Sequence, residues 1–183
     1  IRPGLQNETV LGLAAIGFYG ALFHTINHGT FKSLLFFNAG SMLYATDTQD
    51  LNKMGGLIKF MPVTAIMTLI ASFSIAGVPL FNGFASKWSI YVATILGSSV
   101  AKYLGICAVF AILTSAITLA SFMKFFGVSF LSRTSSLVAE KAARKPLLEV
   151  GWMMQIPQLI LAALCLVFGI IPIGAKQLIK QAP

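Results

Sequence analysis

Charged residues, and acidic ones above all, are scarce in this sequence. Only 10% of the 183 residues are charged and five are acidic, whereas 57% are hydrophobic. This composition is too apolar for an ordinary soluble domain. The basic residues stand mostly in short loops or at helix ends, which argues against a nucleic-acid partner. Several apolar runs reach the roughly 20 residues that a membrane-spanning helix needs, so we interpret the chain as an all-α integral membrane protein.

Cysteines are few, and the usual motifs of catalytic and cofactor sites are missing. Cys107 and Cys165 lie in separate apolar segments without metal-ligand spacing, which argues against a disulfide, a zinc site or an iron–sulfur cluster. The sequence contains no glycine-rich nucleotide loop, no CxxC pair and no Ser/His/Asp arrangement. We therefore expect no catalytic residue, no metal site and no cofactor in this chain.

Polar interruptions divide the chain into about four transmembrane helices, one of them broken. The predicted order is a connecting loop (1–8), a long transmembrane helix (9–45), a loop (46–59), a broken transmembrane helix (60–97), a transmembrane helix (101–130), a basic loop (131–146), a transmembrane helix (147–171) and a tail (172–183). Lysine and arginine are more frequent in the 46–59 and 131–146 loops than at the other ends of the helices. This bias places both loops on the cytoplasmic side.

Three titratable residues stand four apart in the first predicted helix. His24, His28 and Lys32 would lie along one side of it, each about 6 Å further along the axis. Ionisable residues within a bilayer are costly and usually face a bundle interior or a water cavity, so the pattern indicates a proton path. The alternative is that the histidines hydrogen-bond to neighbouring helices and that Lys32 extends to the interface. Four polar neighbours are candidates to hold water: Thr25, Asn27, Thr30 and Ser33.

A second signal interrupts the apolar run over residues 60–97, which contains Gly77, Pro79 and Gly83. Proline removes a backbone donor and disfavours helix at the preceding residue. We expect two half-helices, Met61–Ile75 and Gly83–Gly97, joined by unwound backbone. Broken helices of this kind are tolerated only where protein or a cavity covers them, and in transporters they are a sign of ion sites.

Lys87 lies one turn into the second predicted half-helix. The positive end of that helix dipole disfavours a charged amine, and desolvation acts in the same direction. No carboxylate stands near Lys87 in this segment, so we expect an anionic partner from another helix or another chain. The alternative is that Lys87 extends to the membrane interface beside Trp88 and Tyr91.

Three stretches of the sequence resemble the antiporter-like subunits of respiratory complex I. They are Phe23–Phe36, Asp50–Leu57 and Ser74–Trp88, and the similarity is densest over residues 11–91. The same family includes the large membrane subunits of energy-converting hydrogenases and of Mrp-type antiporters. The resemblance implies a fold of fourteen core helices, of which this chain would hold about the last four.

The resemblance also implies roles for individual residues. His24 and His28 would relay ions, Lys32 would connect a central polar axis to an exit half-channel, and Lys87 would release the ion. The run Ser86-Lys87-Trp88-Ser89 lacks the acid that follows the lysine in some complex I members, which favours the hydrogenase-like or related branches.

The implied function is translocation of protons, or alternatively of sodium ions, by a subunit of a membrane-bound redox complex. Such a complex would be a complex I-like NADH:quinone oxidoreductase or an energy-converting hydrogenase in a prokaryotic cytoplasmic membrane. Partner subunits would perform the redox chemistry, and they would include further antiporter-like subunits and a peripheral redox arm. Two other functions stay open: an Mrp-type cation/proton antiporter subunit, and a structural membrane subunit with a vestigial channel.

Overall fold

A computed structural model describes the backbone of residues 3–171 and the side chains of residues 8–171. This part of the chain contains helices and loops and no strand, as the composition predicts. It forms six α-helices: α1 (Pro3–Thr46), α2 (Pro62–Ala76), α3 (Asn82–Gly97), α4 (Tyr103–Phe126), α5 (Ser136–Arg144) and α6 (Trp152–Ile170). The predicted tail, residues 172–183, lies outside the described residues.

The first helix is longer than predicted. It already begins at Pro3, so the connecting loop predicted over residues 1–8 is wrong from residue 3 onward. The physical reason is that proline is tolerated in a first helical turn, where its missing N–H would have no helical partner anyway. With 44 residues, α1 is about 66 Å long, against roughly 30 Å of bilayer hydrocarbon, so it must tilt or protrude.

Helices α2 and α3 follow one another along the side of α1 and run antiparallel to it. Near one end of the bundle, Met42 packs in a core cluster with Met61 and Ala65 of α2. Further along, Asn27 of α1 contacts Asn82 at the start of α3. A Cβ atom on Gly17 would lie 3.4 Å from Ala93, close to the end of α3. The two half-helices are therefore one broken helix, and α1 passes the break near Asn27.

The loops at residues 47–61 and 127–151 pack together at one end of the bundle, which we call the loop end. The segment 131–146 is not a simple loop, because it contains α5. Ser135 starts this helix, and its hydroxyl accepts a hydrogen bond from the backbone N–H of Val138 at 3.2 Å. The same hydroxyl donates to the carbonyl of Lys53 at 2.7 Å. Lys141 of α5 forms an ion pair with Asp47.

The last helix is shorter than the predicted segment 147–171, because residues 145–151 are not helical. Glu149 lies in this stretch, and its carboxylate accepts hydrogen bonds from the backbone N–H groups of Val63 and Thr64 at 2.7 and 3.0 Å. It also accepts one from the Thr64 hydroxyl at 2.8 Å. Glu149 thus satisfies free N–H groups at the start of α2.

Within residues 3–171, three helices are long and apolar enough to cross a membrane, and they lie over Glu8–Thr46, Tyr103–Leu131 and Trp152–Ile170. Helix α2 is apolar but too short to cross alone. Together with α3 it makes the broken helix, as the glycine and proline pattern predicts. A core cluster of α1, α2 and α6 side chains lies next to the break: Phe31, Leu34, Met67, Ala71, Ile75, Ala162 and Cys165.

Candidate functional site

The candidate site lies where α1 passes the break between α2 and α3. Two fully buried asparagines join the elements here. The side-chain amide of Asn27 donates to the backbone carbonyl of Asn82 at 2.9 Å, and the Asn82 amide donates to Asn27 Oδ1 at 3.3 Å. These bonds fix the start of α3 against α1, at the level of the titratable residues of α1.

Gly77 ends α2 in a left-handed conformation, with φ at +80°. The N–H of Gly77 donates to the carbonyls of Phe73 and Ser74, and the N–H of Val78 donates to the carbonyl of Phe73. This is a Schellman arrangement, which needs a residue that tolerates positive φ. It occupies the carbonyls of Phe73 and Ser74 and leaves those of Ile75 and Ala76 for other donors.

The unwound backbone contains a tight turn. The N–H of Phe81 donates to the carbonyl of Val78 at 3.2 Å, with Pro79 and Leu80 between them. Leu80 has φ at +77°, in a position where a type II turn usually has glycine. Gly169 of α6 lies directly against this turn, since a Cβ atom there would be 2.2 Å from the Leu80 carbonyl oxygen. Gly83 is equally enclosed, because its Cβ would meet the Ser74 oxygen at 1.8 Å.

His24 contacts the second half-helix. Its Nδ1 atom is 2.9 Å from the hydroxyl oxygen of Ser86, which precedes Lys87 in the chain. The Ser86 hydroxyl also reaches the carbonyls of Asn82 and Gly83 in the first turn of α3, at 3.3 and 3.2 Å. His24 is half-buried, and this contact joins it to the helix that carries Lys87.

Lys87 returns to the end of the first half-helix. Its Nζ atom donates to the carbonyl of Ile75 at 2.9 Å and to that of Ala76 at 3.5 Å. These are the two carbonyls that the glycine turn leaves free. A third bond runs to the hydroxyl of Ser115 in α4 at 2.9 Å. The side chain passes over Gly77, where a Cβ atom would lie 3.0 Å from Lys87 Cδ.

Within the described residues, the partners of Lys87 come from other helices and are neutral oxygens. An anionic partner from another chain stays a prediction. The amine lies at the carboxyl-terminal end of α2, where the helix dipole favours a positive charge. The dipole of α3 alone predicted the opposite sign, because the sequence does not show that the side chain reaches back across the break.

A hydroxyl pair continues from Lys87. The phenolic oxygen of Tyr91 is 2.6 Å from Ser115 Oγ, and it is 3.3 Å from the carbonyl of Ala111, to which it can donate. Tyr91 lies one turn beyond Lys87 in α3, and Ser115 and Ala111 belong to α4. The site is therefore completed by α4, to which the sequence pattern assigned no role.

The members of the predicted stripe on α1 do not share one environment. His24 faces α3, whereas the ring of His28 lies 6.0 Å from that of His24 and is exposed in this chain. Lys32 lines a separate apolar groove of about 220 Å³ together with Phe122 and Phe125 of α4. Because α-helices turn by 100° per residue, a spacing of four advances the stripe by about 40° per step. The spacing therefore turns the three side chains toward different neighbours.

The four candidates for holding water also differ. Asn27 is buried and bonded to Asn82. The hydroxyls of Thr25 and Thr30 donate to carbonyls of their own helix, at 3.0 and 2.9 Å. Ser33 is exposed. Thr25 and Thr30 keep acceptor capacity for water, because a hydroxyl oxygen has two lone pairs.

Three residues of the site were not predicted to be site residues: Ser86, Ser115 and Tyr91. Tyr91 was named only as a neighbour of Lys87 at the membrane interface. Ser86 gave a weak signal, since it stands beside Lys87 in a recognisable motif. Ser115 gave none, because one serine in an apolar helix is common and its partner depends on how α3 and α4 pack. Among the described residues, no three His, Cys, Asp or Glu side chains are grouped as metal ligands would be.

Solved structures share the fold. A chain of the membrane-bound sulfane sulfur reductase, an archaeal respiratory membrane complex, matches 92% of this chain with a TM-score of 0.76 and 30% identity. A chain of the Mrp complex from Dietzia sp. DQ12-45-1b matches 89% with a TM-score of 0.70 and 23% identity, which shows the fold alone. This chain covers 26% and 36% of those two chains, so its helices are part of a larger fold.

Curated relatives are similar along most of the chain. Formate hydrogenlyase subunit 3 of Escherichia coli K12 is 37% identical over 86% of this chain. Na(+)/H(+) antiporter subunit A1 of Staphylococcus saprophyticus is 40% identical over 90% of it. The chain spans 26% and 20% of the length of these two relatives. A sequence profile described as NADH:quinone oxidoreductase/Mrp antiporter, transmembrane, matches residues 9–118. The chain is therefore a member of the NADH:quinone oxidoreductase/Mrp antiporter transmembrane family and an integral membrane protein.

Proposed function

We propose that this chain belongs to an antiporter-like subunit that moves ions through a membrane-bound redox complex. The observation that carries the proposal is the position of the Lys87 amine inside a broken helix, on free backbone carbonyls of α2, with His24 attached to the adjacent Ser86. Charged side chains within a membrane are costly and cluster along ion paths, and broken helices expose such carbonyls to ions.

The proposed path contains His24, His28, Lys32 and Lys87. The ion is a proton, because imidazole and amine groups both gain and lose protons, with sodium as the alternative. Lys32 lies about 12 Å along α1 from His24, which is too far for a direct hydrogen bond. We therefore propose that water connects Lys32 to the rest of the path. The chain needs no cofactor of its own, and redox chemistry belongs to partner subunits such as those of a hydrogenase or a complex I-like enzyme.

The relatives also favour a membrane-bound redox complex as the setting of this chain. Subunits of formate hydrogenlyase and of hydrogenase-4 are 37% and 36% identical to this chain, which supports a redox complex with several membrane subunits. We place the complex in a prokaryotic cytoplasmic membrane, with the loop end facing the cytoplasm, because the basic residues are concentrated there.

The second candidate function is an Mrp-type cation/proton antiporter subunit, which works on an ion gradient without a redox partner. The 40% identity to a Na(+)/H(+) antiporter subunit favours it. The two functions differ in their partners. Copurification with iron–sulfur or hydrogenase-like subunits would support the redox complex, and copurification with small membrane subunits alone would support the antiporter.

Transport measurements test the proposal. Vesicles that contain the complete complex are assayed for proton flux, sodium flux and redox turnover, with the wild-type protein and with the Lys87→Ala and Lys32→Ala variants. We expect both substitutions to abolish transport while the complex still assembles, and the flux that disappears identifies the ion. Lys124→Ala is the matched control, because Lys124 is an exposed lysine near the end of α4. Undiminished transport by Lys87→Ala would favour a structural subunit with a vestigial channel.

A further inference from the structure

The oxygens around the Lys87 amine match the charged form of the side chain, both in their number and in their role as hydrogen-bond acceptors. Three oxygens accept hydrogen bonds from it: the carbonyls of Ile75 and Ala76 and the hydroxyl of Ser115. A lysine ammonium has three N–H donors and no acceptor. A carbonyl is an acceptor only, so two of the three positions can never donate to a neutral amine.

The third position is the Ser115 hydroxyl, which also has Tyr91 as a partner. The Tyr91 hydroxyl can donate to the carbonyl of Ala111 at 3.3 Å, and it lies 2.6 Å from Ser115 Oγ, where either oxygen can be the donor. If Tyr91 donates to Ala111, the Ser115 proton points toward Tyr91 and away from Lys87. Donation then runs in one direction, from Lys87 to Ser115, then to Tyr91 and to Ala111.

We propose that donation runs in this direction, and that Ser115 and Tyr91 thereby form a hydroxyl clamp that holds Lys87 at the end of α2 more tightly when the amine is charged than when it is neutral. This rests on the function proposed above, in which Lys87 belongs to the ion path. When the ammonium loses a proton, one N–H bond breaks and the proton passes to water of the path. The lone pair left on the nitrogen would then face an acceptor oxygen. The neutral amine therefore loses one of its three hydrogen bonds and is held less tightly at the end of α2.

Few other titratable groups surround Lys87. His24 of α1 and Tyr91 of α3 are near it, and Cys165 of α6 lies beside Ser74 and Asn82. Helix α2 contains no titratable residue. On α4, Cys107 and Lys124 are eight and nine residues from Ser115, which is roughly 12 Å or more along the axis. Ser115 bonds directly to the Lys87 amine, and Tyr91 bonds to Ser115. Substitution of this hydroxyl pair therefore changes the hydrogen bonds that distinguish the charged amine from the neutral one.

The dependence of transport on pH tests the clamp. Vesicles with the complete complex are compared for the wild-type protein and the Tyr91→Phe and Ser115→Ala variants. Without Tyr91 the Ser115 hydroxyl can turn and donate to a neutral amine, and without Ser115 the ammonium loses an acceptor. We expect the alkaline limb of the pH–rate profile to move by about one pH unit to lower pH in both variants.

Two control variants separate the clamp from a packing effect. Ser115→Thr keeps the hydroxyl, so it should keep the wild-type profile. Thr114→Ala removes a neighbouring exposed hydroxyl that bonds to its own helix at 2.7 Å, and it should also leave the profile unchanged. Tyr91→Phe retains the ring and loses one oxygen, which favours normal folding.

Two results would overturn the clamp. The first is an unshifted profile in Tyr91→Phe, and the second is a rate that falls equally at every pH, as a purely structural role would cause. If Lys87→Ala abolishes transport in the same experiment, either result rejects the clamp alone. If Lys87→Ala transports normally, the proposed function fails, and the clamp fails with it.

Discussion

At the scale of single residues, Lys87 links the two half-helices. It belongs to α3, but its amine binds the last free carbonyls of α2. Gly77 makes this possible in two ways. Its left-handed conformation ends α2 so that the carbonyls stay free, and its missing side chain leaves room for the lysine stem.

Gly77→Ala tests this arrangement. Alanine at φ +80° is strained by about 1–2 kcal/mol, and its Cβ would be 3.0 Å from Lys87 Cδ. We expect a lower midpoint of thermal unfolding for the purified complex and slower ion transport, because the amine is displaced from α2. Gly127→Ala is the control, since Gly127 has helical dihedral angles and a Cβ there meets nothing within 4 Å. Equal stability of the two variants would refute the role of Gly77.

At this scale, candidate site residues and the helix break could be predicted only where they follow from the local sequence. Histidine and lysine in an apolar run indicated a site at His24 and Lys87, and glycine with proline indicated the break. The left-handed Leu80 could not be predicted, since leucine rarely takes that conformation and α6 packs against the turn through Gly169. The partners of Lys87 were also out of reach, because they depend on contacts between distant segments.

At the scale of elements, the boundaries of the broken helix were readable from the sequence. Helices α2 and α3 begin and end within one residue of Met61–Ile75 and Gly83–Gly97, because proline and glycine act locally. The starts of α1 and α6 were not, although their ends lie within one residue of the predicted ends, and α5 was missed. Its nine residues are charged on the outside and bury Val138 against the loop end, so hydrophobicity alone does not reveal the helix.

Glu149 connects two elements, and its removal should destabilise α2. Glu149→Ala takes away the acceptor of two backbone N–H groups and of the Thr64 hydroxyl. We expect a loss of about 1–3 kcal/mol, seen as a lower midpoint of thermal unfolding of the purified complex. Glu140→Ala serves as the comparison, because its ion pair with Arg144 is exposed and such pairs contribute about 1 kcal/mol or less. If both variants unfold at the same temperature, Glu149 does not cap α2.

At the scale of the whole molecule, the chain is a bundle whose outer surface is strongly apolar. Large hydrophobic side chains on α4 are exposed, among them Val109, Phe110 and Leu113. A surface of this kind needs lipid or neighbouring subunits to cover it. His28 is exposed on the same bundle. The sequence could not predict which faces are covered, because the chain spans only 26% and 20% of the length of the two curated relatives named above.

The topology of the bundle predicts which segments share a side of the membrane. The ion pair of Asp47 with Lys141 and the bond between Ser135 and Lys53 hold the 47–61 and 127–151 segments at one end. The connection between α3 and α4 lies at the other end. Described lysine and arginine residues are concentrated at the loop end: Lys53, Lys59, Arg133, Lys141, Arg144 and Lys145. The excess of basic residues predicts that this end faces the cytoplasm.

Single cysteines would measure this topology in intact cells. Cys107 and Cys165 are first replaced by alanine, and then Ser136→Cys or Ser99→Cys is introduced at an exposed position of each end. A maleimide that cannot cross the membrane should label Ser99→Cys in intact cells, and Ser136→Cys only after the cells are opened. The reverse pattern would invert the orientation and with it the direction of the proposed ion path. The length and apolar surface of α4 predict that this helix crosses the membrane. Labelling of both variants in intact cells would mean that it does not.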